Sequence, residues 1–142
     1  MTRDGRLLLL RRTIEPWLGC WDIPGGFCEP DEHPEATVVR EVREEAGLEV
    51  RVTRPLGVWL DTYGDGVDGG PPDTTMNCYY HAVTLDDRDP VVDPAEASDA
   101  RWFAPSALPE DIAFPAHAGQ VLAAWREAVA PDAADAGAGA PD

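Results

Sequence analysis

The chain has 142 residues, 44% of them apolar, and carries 27 acidic against 11 basic side chains, a formal charge of −16. That length suits one domain with its own core, and that charge repels nucleic-acid phosphates and anionic membrane surfaces, so neither is an expected partner. The three cysteines, Cys20, Cys28 and Cys78, fit neither a disulfide framework nor a zinc-finger spacing. No apolar run approaches the ~18 residues of a membrane span, and the sequence reads as a cytoplasmic protein with free thiols.

Near the start, Asp4-Gly5 stands just before an apolar run at 7–10, the pattern of a hairpin turn leading into a strand. Almost no chain precedes it, so its partner strand is expected to be missing or truncated. Over 34–46 the period changes to that of a helix: Val38, Val42 and Ala46 recur at intervals of four, Pro34 falls in the first turn and Gly47 ends it. Residues 48–63 and 76–85, rich in Val, Tyr and Thr, read as strands. Between them 64–73 is too rich in Gly, Pro and Asp for regular structure and reads as a lid or a floppy connector. A strand around 100–103 and a helix around 116–130 follow. Residues 131–142 are small, acidic and without period, and read as a disordered tail behind a domain spanning 1–130.

The helix at 34–46 raises a question of charge. At ~100° per residue, Glu41, Glu44 and Glu45 share one arc, beside the arc of Val38, Val39, Val42 and Ala46 that faces a core. Three carboxylates in the last turns repel one another and oppose the macrodipole, with only Arg40 and Arg43 nearby. A divalent cation removes that conflict, and hard oxygen ligands suit Mg²⁺ or Mn²⁺. The preceding Gly25-Gly26 pair allows a backbone carbonyl to approach the same ion. Such a centre neutralises a diphosphate and activates water against it.

Gly26, five residues, Glu32, seven residues, then "REVREEAGL" over 40–48 resembles the complete signature of the Nudix hydrolases, with Val42 and Leu48 at its aliphatic positions. "GRLLLLRRTIEPWLGCWDIPGGFCEP" upstream and "DARWFAPSALP" downstream are similar to the same family. The resemblance implies an α/β fold, an α/β/α sandwich with a mixed β-sheet, and hydrolysis of a nucleoside diphosphate linked to another moiety. It assigns the metal to Glu41, Glu44, Glu45 and the Gly26 carbonyl, gives Arg40 the orientation of a metal-binding carboxylate, and has Glu32 support the loop before the helix. For the proton acceptor two readings stay open: Glu45, or a later carboxylate, Glu96 or Asp99, of which Glu96 is favoured.

The stretch "RRTIEPWLGCWDIPGGF" looks most like the branch acting on ADP-ribose and dinucleotides. Trp17, Trp59, Tyr63 and Phe114 are candidates for stacking on a base, and Arg11 and Arg12 for contacts with phosphate. His33, His81 and His117 form no cluster along the sequence and receive no role. The missing first strand leaves a sheet edge to be covered. Either the chain begins further upstream or another copy covers that edge, which makes a homodimer one expected assembly. The expected activity is Mg²⁺-dependent cleavage of an ADP-ribose-like compound. The alternatives are pyrophosphohydrolysis of nucleoside triphosphates and, from a different class, a domain that binds a nucleotide sugar without cleaving it.

Overall fold

The computed structural model describes residues 1–63, with Tyr63 by its backbone only, and 72–130. The expected tail at 131–142, and most of the expected lid or connector at 64–73, lie outside the described residues.

Strands β1 (Thr2–Arg3), β2 (Arg6–Arg12), β3 (Trp21–Asp22), β4 (Val50–Tyr63), β5 (Asp73–Thr84) and β6 (Ala97–Phe103) form one mixed sheet, with helices α1 (Pro34–Ala46) and α2 (Pro115–Val129). The first strand is present, two residues long. Asp4 and Gly5 take positive φ angles, 49° and 71°, the conformation of a tight hairpin turn that matches strand twist. The turn brings Thr2 antiparallel to Leu7, while Thr2 also pairs in parallel with Val83 of β5. Thr2 is therefore flanked on both sides, by Leu7 and by Val83.

β2 is the centre of the molecule. It pairs with β1 and β3 along one side and with β6 along the other. Its four leucines are buried on both faces of the sheet. Leu8 and Leu10 join Val42, Ala46, Leu48, Val50 and Ala82 under α1, while Leu7 and Leu9 join Trp21, Leu122 and Trp125 under α2. An unbroken apolar run is what a strand covered on both sides requires, and the two clusters make the α/β/α layering.

The bounds of α1 follow from its sequence. Pro34 occupies the first turn, the His33 ring accepts a hydrogen bond from the Glu35 N–H at 3.3 Å, and Gly47 closes the helix at φ 64° with its N–H on the Arg43 carbonyl. α2 is anchored from its far end by the Trp125 indole N–H, which donates to the Thr2 hydroxyl at 2.9 Å. None of the described helices is long and apolar enough to cross a membrane.

Candidate active site

Arg40 organises the box from the middle of α1. Its guanidinium forks onto Glu32, with Nε to Oε1 and Nη2 to Oε2 both at 2.9 Å, and Nη2 also donates to the Phe27 carbonyl at 3.0 Å. The remaining nitrogen, Nη1, reaches Glu41 at 2.9 Å and Glu44 at 3.1 Å. Arg40 thus ties the loop to the helix and holds two of the three box carboxylates. Glu32 takes two further hydrogen bonds, from the Glu29 N–H at 3.0 Å and the Thr37 hydroxyl at 2.7 Å. Arg40 and these donors hold its carboxyl down at about 2. Arg43, the other expected compensating cation, turns away to Glu49, at 2.6 and 2.8 Å.

Glu45 is treated differently by its surroundings. It is half-buried and accepts the Gly25 N–H at 2.9 Å. Burial pushes its carboxyl up to about 8; the Gly25 hydrogen bond opposes this, and the charges of Glu41, Glu96 and Asp22 add to it. Gly26 lies so close to Glu41 that a Cβ on it would land on the Glu41 carboxylate. A side chain there would have to push the Glu41 carboxylate off its place against Arg40, so the glycine leaves that carboxylate where it is.

Glu41, Glu44, Glu45 and the Gly26 carbonyl offer oxygen atoms alone, the donor type that a hard divalent cation takes. Among the described residues, no three metal-type side chains converge on one point: Glu41 and Glu44 lean on Arg40, and Glu45 on Gly25. Glu96 sits in the exposed loop before β6. That loop is fastened to the end of β2, where Thr13 donates through its N–H to the Glu96 carbonyl at 3.2 Å and through its hydroxyl to the Ala95 carbonyl at 2.8 Å. Asp99, the other late carboxylate, is occupied by the Ala100 N–H at 2.9 Å and the Arg101 Nε at 2.7 Å.

The expected substrate residues divide. Trp17 and Phe114 come together, ring centroids 6.4 Å apart, in a cavity of about 430 Å³ that Pro16, Pro115, Asp61 and Thr62 also line. Both aromatic residues hold left-handed backbone, φ 69° and 53°, a conformation costly for bulky side chains and concentrated at ligand sites. Arg12 lies 5.3 Å over the Phe114 ring and is paired to Asp22 at 2.6 Å. Arg11, exposed, donates to the Gly19 carbonyl at 2.9 Å. Trp59 faces α2, where its indole N–H donates to Gln120 at 2.9 Å. The Tyr63 side chain lies outside the described residues.

Three residues of this region carried no signal in the sequence. His117, 4% exposed at the start of α2, meets the Tyr79 hydroxyl at 2.8 Å through Nε2 and lies 3.6 Å from Asp61 Oδ2 through Nδ1. Asp22 joins the pocket to the box, since it pairs with Arg12 and its charge acts on Glu45. Their separation along the chain, from Asp22 to Asp61 to His117, hides the group from any search for local motifs.

A family model described as the NUDIX domain matches residues 1–125. Among curated proteins, an ADP-ribose pyrophosphatase of Methanocaldococcus jannaschii is 46% identical over 57 residues, 40% of this chain and 34% of that protein. The CTP pyrophosphohydrolase of Escherichia coli is 45% identical over 51 residues, 35% of this chain and 38% of that protein. The matched stretch thus spans little more than a third of either relative. Among solved structures, a MutT NUDIX hydrolase from Burkholderia pseudomallei superimposes with a TM-score of 0.66 at 28% identity, over 87% of this chain and 90% of that one. With the family model covering most of the chain, and the Arg40-centred glutamates standing on the loop and helix that carry its signature, the chain belongs to the Nudix family.

Proposed function

We propose that the protein hydrolyses the diphosphate linkage of a nucleoside diphosphate joined to another moiety, an ADP-ribose-like compound, with Mg²⁺ as the cation and Mn²⁺ as a substitute. The observation that carries this reading is the Arg40 fork, which holds Glu32, Glu41 and Glu44 in one network beside the half-buried Glu45. Glu41, Glu44, Glu45 and the Gly26 carbonyl would hold the cation. When bound, it supplies charge neutralisation for the diphosphate and acidifies water. Arg40 keeps Glu41 and Glu44 oriented, and Glu32 keeps Arg40 oriented. Glu96, on its fastened loop, accepts the proton of the attacking water. Trp17 and Phe114 stack on the base, and Arg12, fixed by Asp22, presents positive charge between that base and the glutamates.

The test is a panel of ADP-ribose, NADH and sugar nucleotides incubated with Mg²⁺, with products identified. Release of a nucleoside monophosphate supports the reading, and an intact panel overturns it. A second reading, cleavage of nucleoside triphosphates to monophosphate and pyrophosphate, is favoured by the likeness to a CTP pyrophosphohydrolase. With CTP and ATP added to the panel, pyrophosphate among the products while the nucleoside diphosphate derivatives stay intact would select it.

A further inference from the structure

The aromatic pocket contains a charge that stacking does not explain. Trp17, Phe114, Pro16 and Pro115 make its walls apolar, yet Asp61, at 14% side-chain exposure, is the one charged group among the described residues lining it. A carboxylate in an apolar wall is retained only where something answers it. Its Oδ1 accepts the Thr62 N–H at 3.0 Å. Its Oδ2 faces His117 Nδ1 across 3.6 Å, too far for a hydrogen bond, and that nitrogen is buried without a hydrogen-bond partner among the described residues. The Tyr79 hydroxyl lies at 2.8 Å from the other ring nitrogen. With Tyr79 donating to Nε2, the imidazole proton sits on Nδ1 and points at Asp61, the tautomer a neighbouring carboxylate favours. His117 therefore turns an N–H edge toward Asp61 Oδ2 without a hydrogen bond that uses it up, and the carboxylate keeps capacity to accept from the cavity it lines.

We propose that Asp61 is the base-selecting residue of this pocket, choosing a nucleobase that presents an amino group, with His117 as its positioning residue. This rests on the reading of the pocket as a nucleotide site and deepens it. The argument is one of donors and acceptors. Adenine and cytosine present an exocyclic amino group, and guanine adds a ring N–H beside its own; each can donate to Asp61 Oδ2. Uracil brings a single ring N–H flanked by two carbonyl oxygens, which a carboxylate repels. A buried group left unpaired by the wrong ligand is the strongest source of discrimination such a site has.

The test uses the full chain without metal, so that it reads binding and not turnover. NMR titrations that follow the Trp17 indole N–H would be run with AMP, CMP, GMP, UMP and the monophosphate of purine riboside, which is AMP without its amino group. The expected result is a Kd for UMP and for purine riboside monophosphate at least ~10-fold weaker than for AMP. Asp61→Asn, which offers both a donor and an acceptor, should bring AMP and UMP within ~3-fold of each other. His117→Gln should narrow the same ratio, which a merely structural role would leave unchanged while weakening all ligands alike. Equal binding of all five ligands, no binding of any, or an AMP-to-UMP ratio unmoved by Asp61→Asn overturns the inference. Should Asp61→Asn fail to fold, AMP against purine riboside monophosphate on the parent chain decides alone. The two readings fail separately: an amino-base preference without hydrolysis sinks the catalytic proposal only, whereas equal turnover of ADP-linked and UDP-linked substrates sinks this one only.

Discussion

Glu45 and Glu32 lie in one site and are pushed in opposite directions, so each has its own pH signature. Glu45 stands at about 8 in the folded chain against an ordinary 4.5. The folded state thus holds a proton that the unfolded state gives up, and stability from this group is full below pH ~4.5 and lost as pH rises through ~8. In chelated protein, the melting temperature of the parent should therefore fall between pH 5 and pH 8 relative to Glu45→Gln, which holds no titrating group there. Thermal melts across that range check it, and parallel curves would contradict it. Glu32, held at about 2, behaves the other way: its contribution is full above pH ~4.5 and lost as pH falls towards 2. Glu32→Gln should flatten the acid limb of the stability curve. Because it loosens Arg40, it should also lower kcat/KM by ~10–100-fold, the usual loss when the partner behind a metal ligand is removed; steady-state kinetics measure this.

At the scale of elements, β2 and α1 carry the architecture. Leu8 and Leu9 are both fully buried, on opposite faces of the same strand. Leu8→Ala and Leu9→Ala should each destabilise by about 2–5 kcal/mol in denaturant unfolding, and a face open to water would show as one small loss. The loop before α1 gives a sharper case. Gly26→Ala drives a Cβ into the Glu41 carboxylate, so it should cut activity at least ~10-fold while the sheet stays folded by circular dichroism; unchanged activity would detach the loop from the site. The helix α1 and its glutamates were legible in the sequence because helical period, proline, glycine and charge all occur within one short stretch. The two-residue strand β3 was not. Trp21 and Asp22 are strand by virtue of pairing with Arg11 and Leu10, and Trp21 bridges to Ile112, contacts that leave no local period. The pocket was half legible: Trp17 and Phe114 stand out as aromatic residues, whereas Asp61, Tyr79 and His117 acquire meaning only when β4, β5 and α2 bring them together. Arg12 was expected at phosphate, and its pairing to Asp22 beside Phe114 depends on β3, the strand that sequence reasoning missed.

At the scale of the whole molecule, a chain of charge −16 repels an anionic substrate everywhere except where positive charge is concentrated. A divalent cation held by Glu41, Glu44 and Glu45 would reverse that sign locally and link folding to metal, so added Mg²⁺ should then raise the melting temperature progressively with concentration. The central claim is that Glu41, Glu44 and Glu45 form a metal centre that performs hydrolysis rather than a solvated acidic face. The most direct measurement compares parent and Glu45→Gln, each with and without Mg²⁺, by melting curve and by turnover of ADP-ribose. The account predicts a parent that is stabilised by Mg²⁺ and active only in its presence. It predicts a Gln variant whose metal-free melting temperature is no lower than the parent's, whose gain from Mg²⁺ is reduced, and whose turnover is at least ~10³-fold slower, equivalent to about 4 kcal/mol of barrier. A Gln variant with the parent's turnover, or a parent indifferent to Mg²⁺ in both measurements, would contradict it.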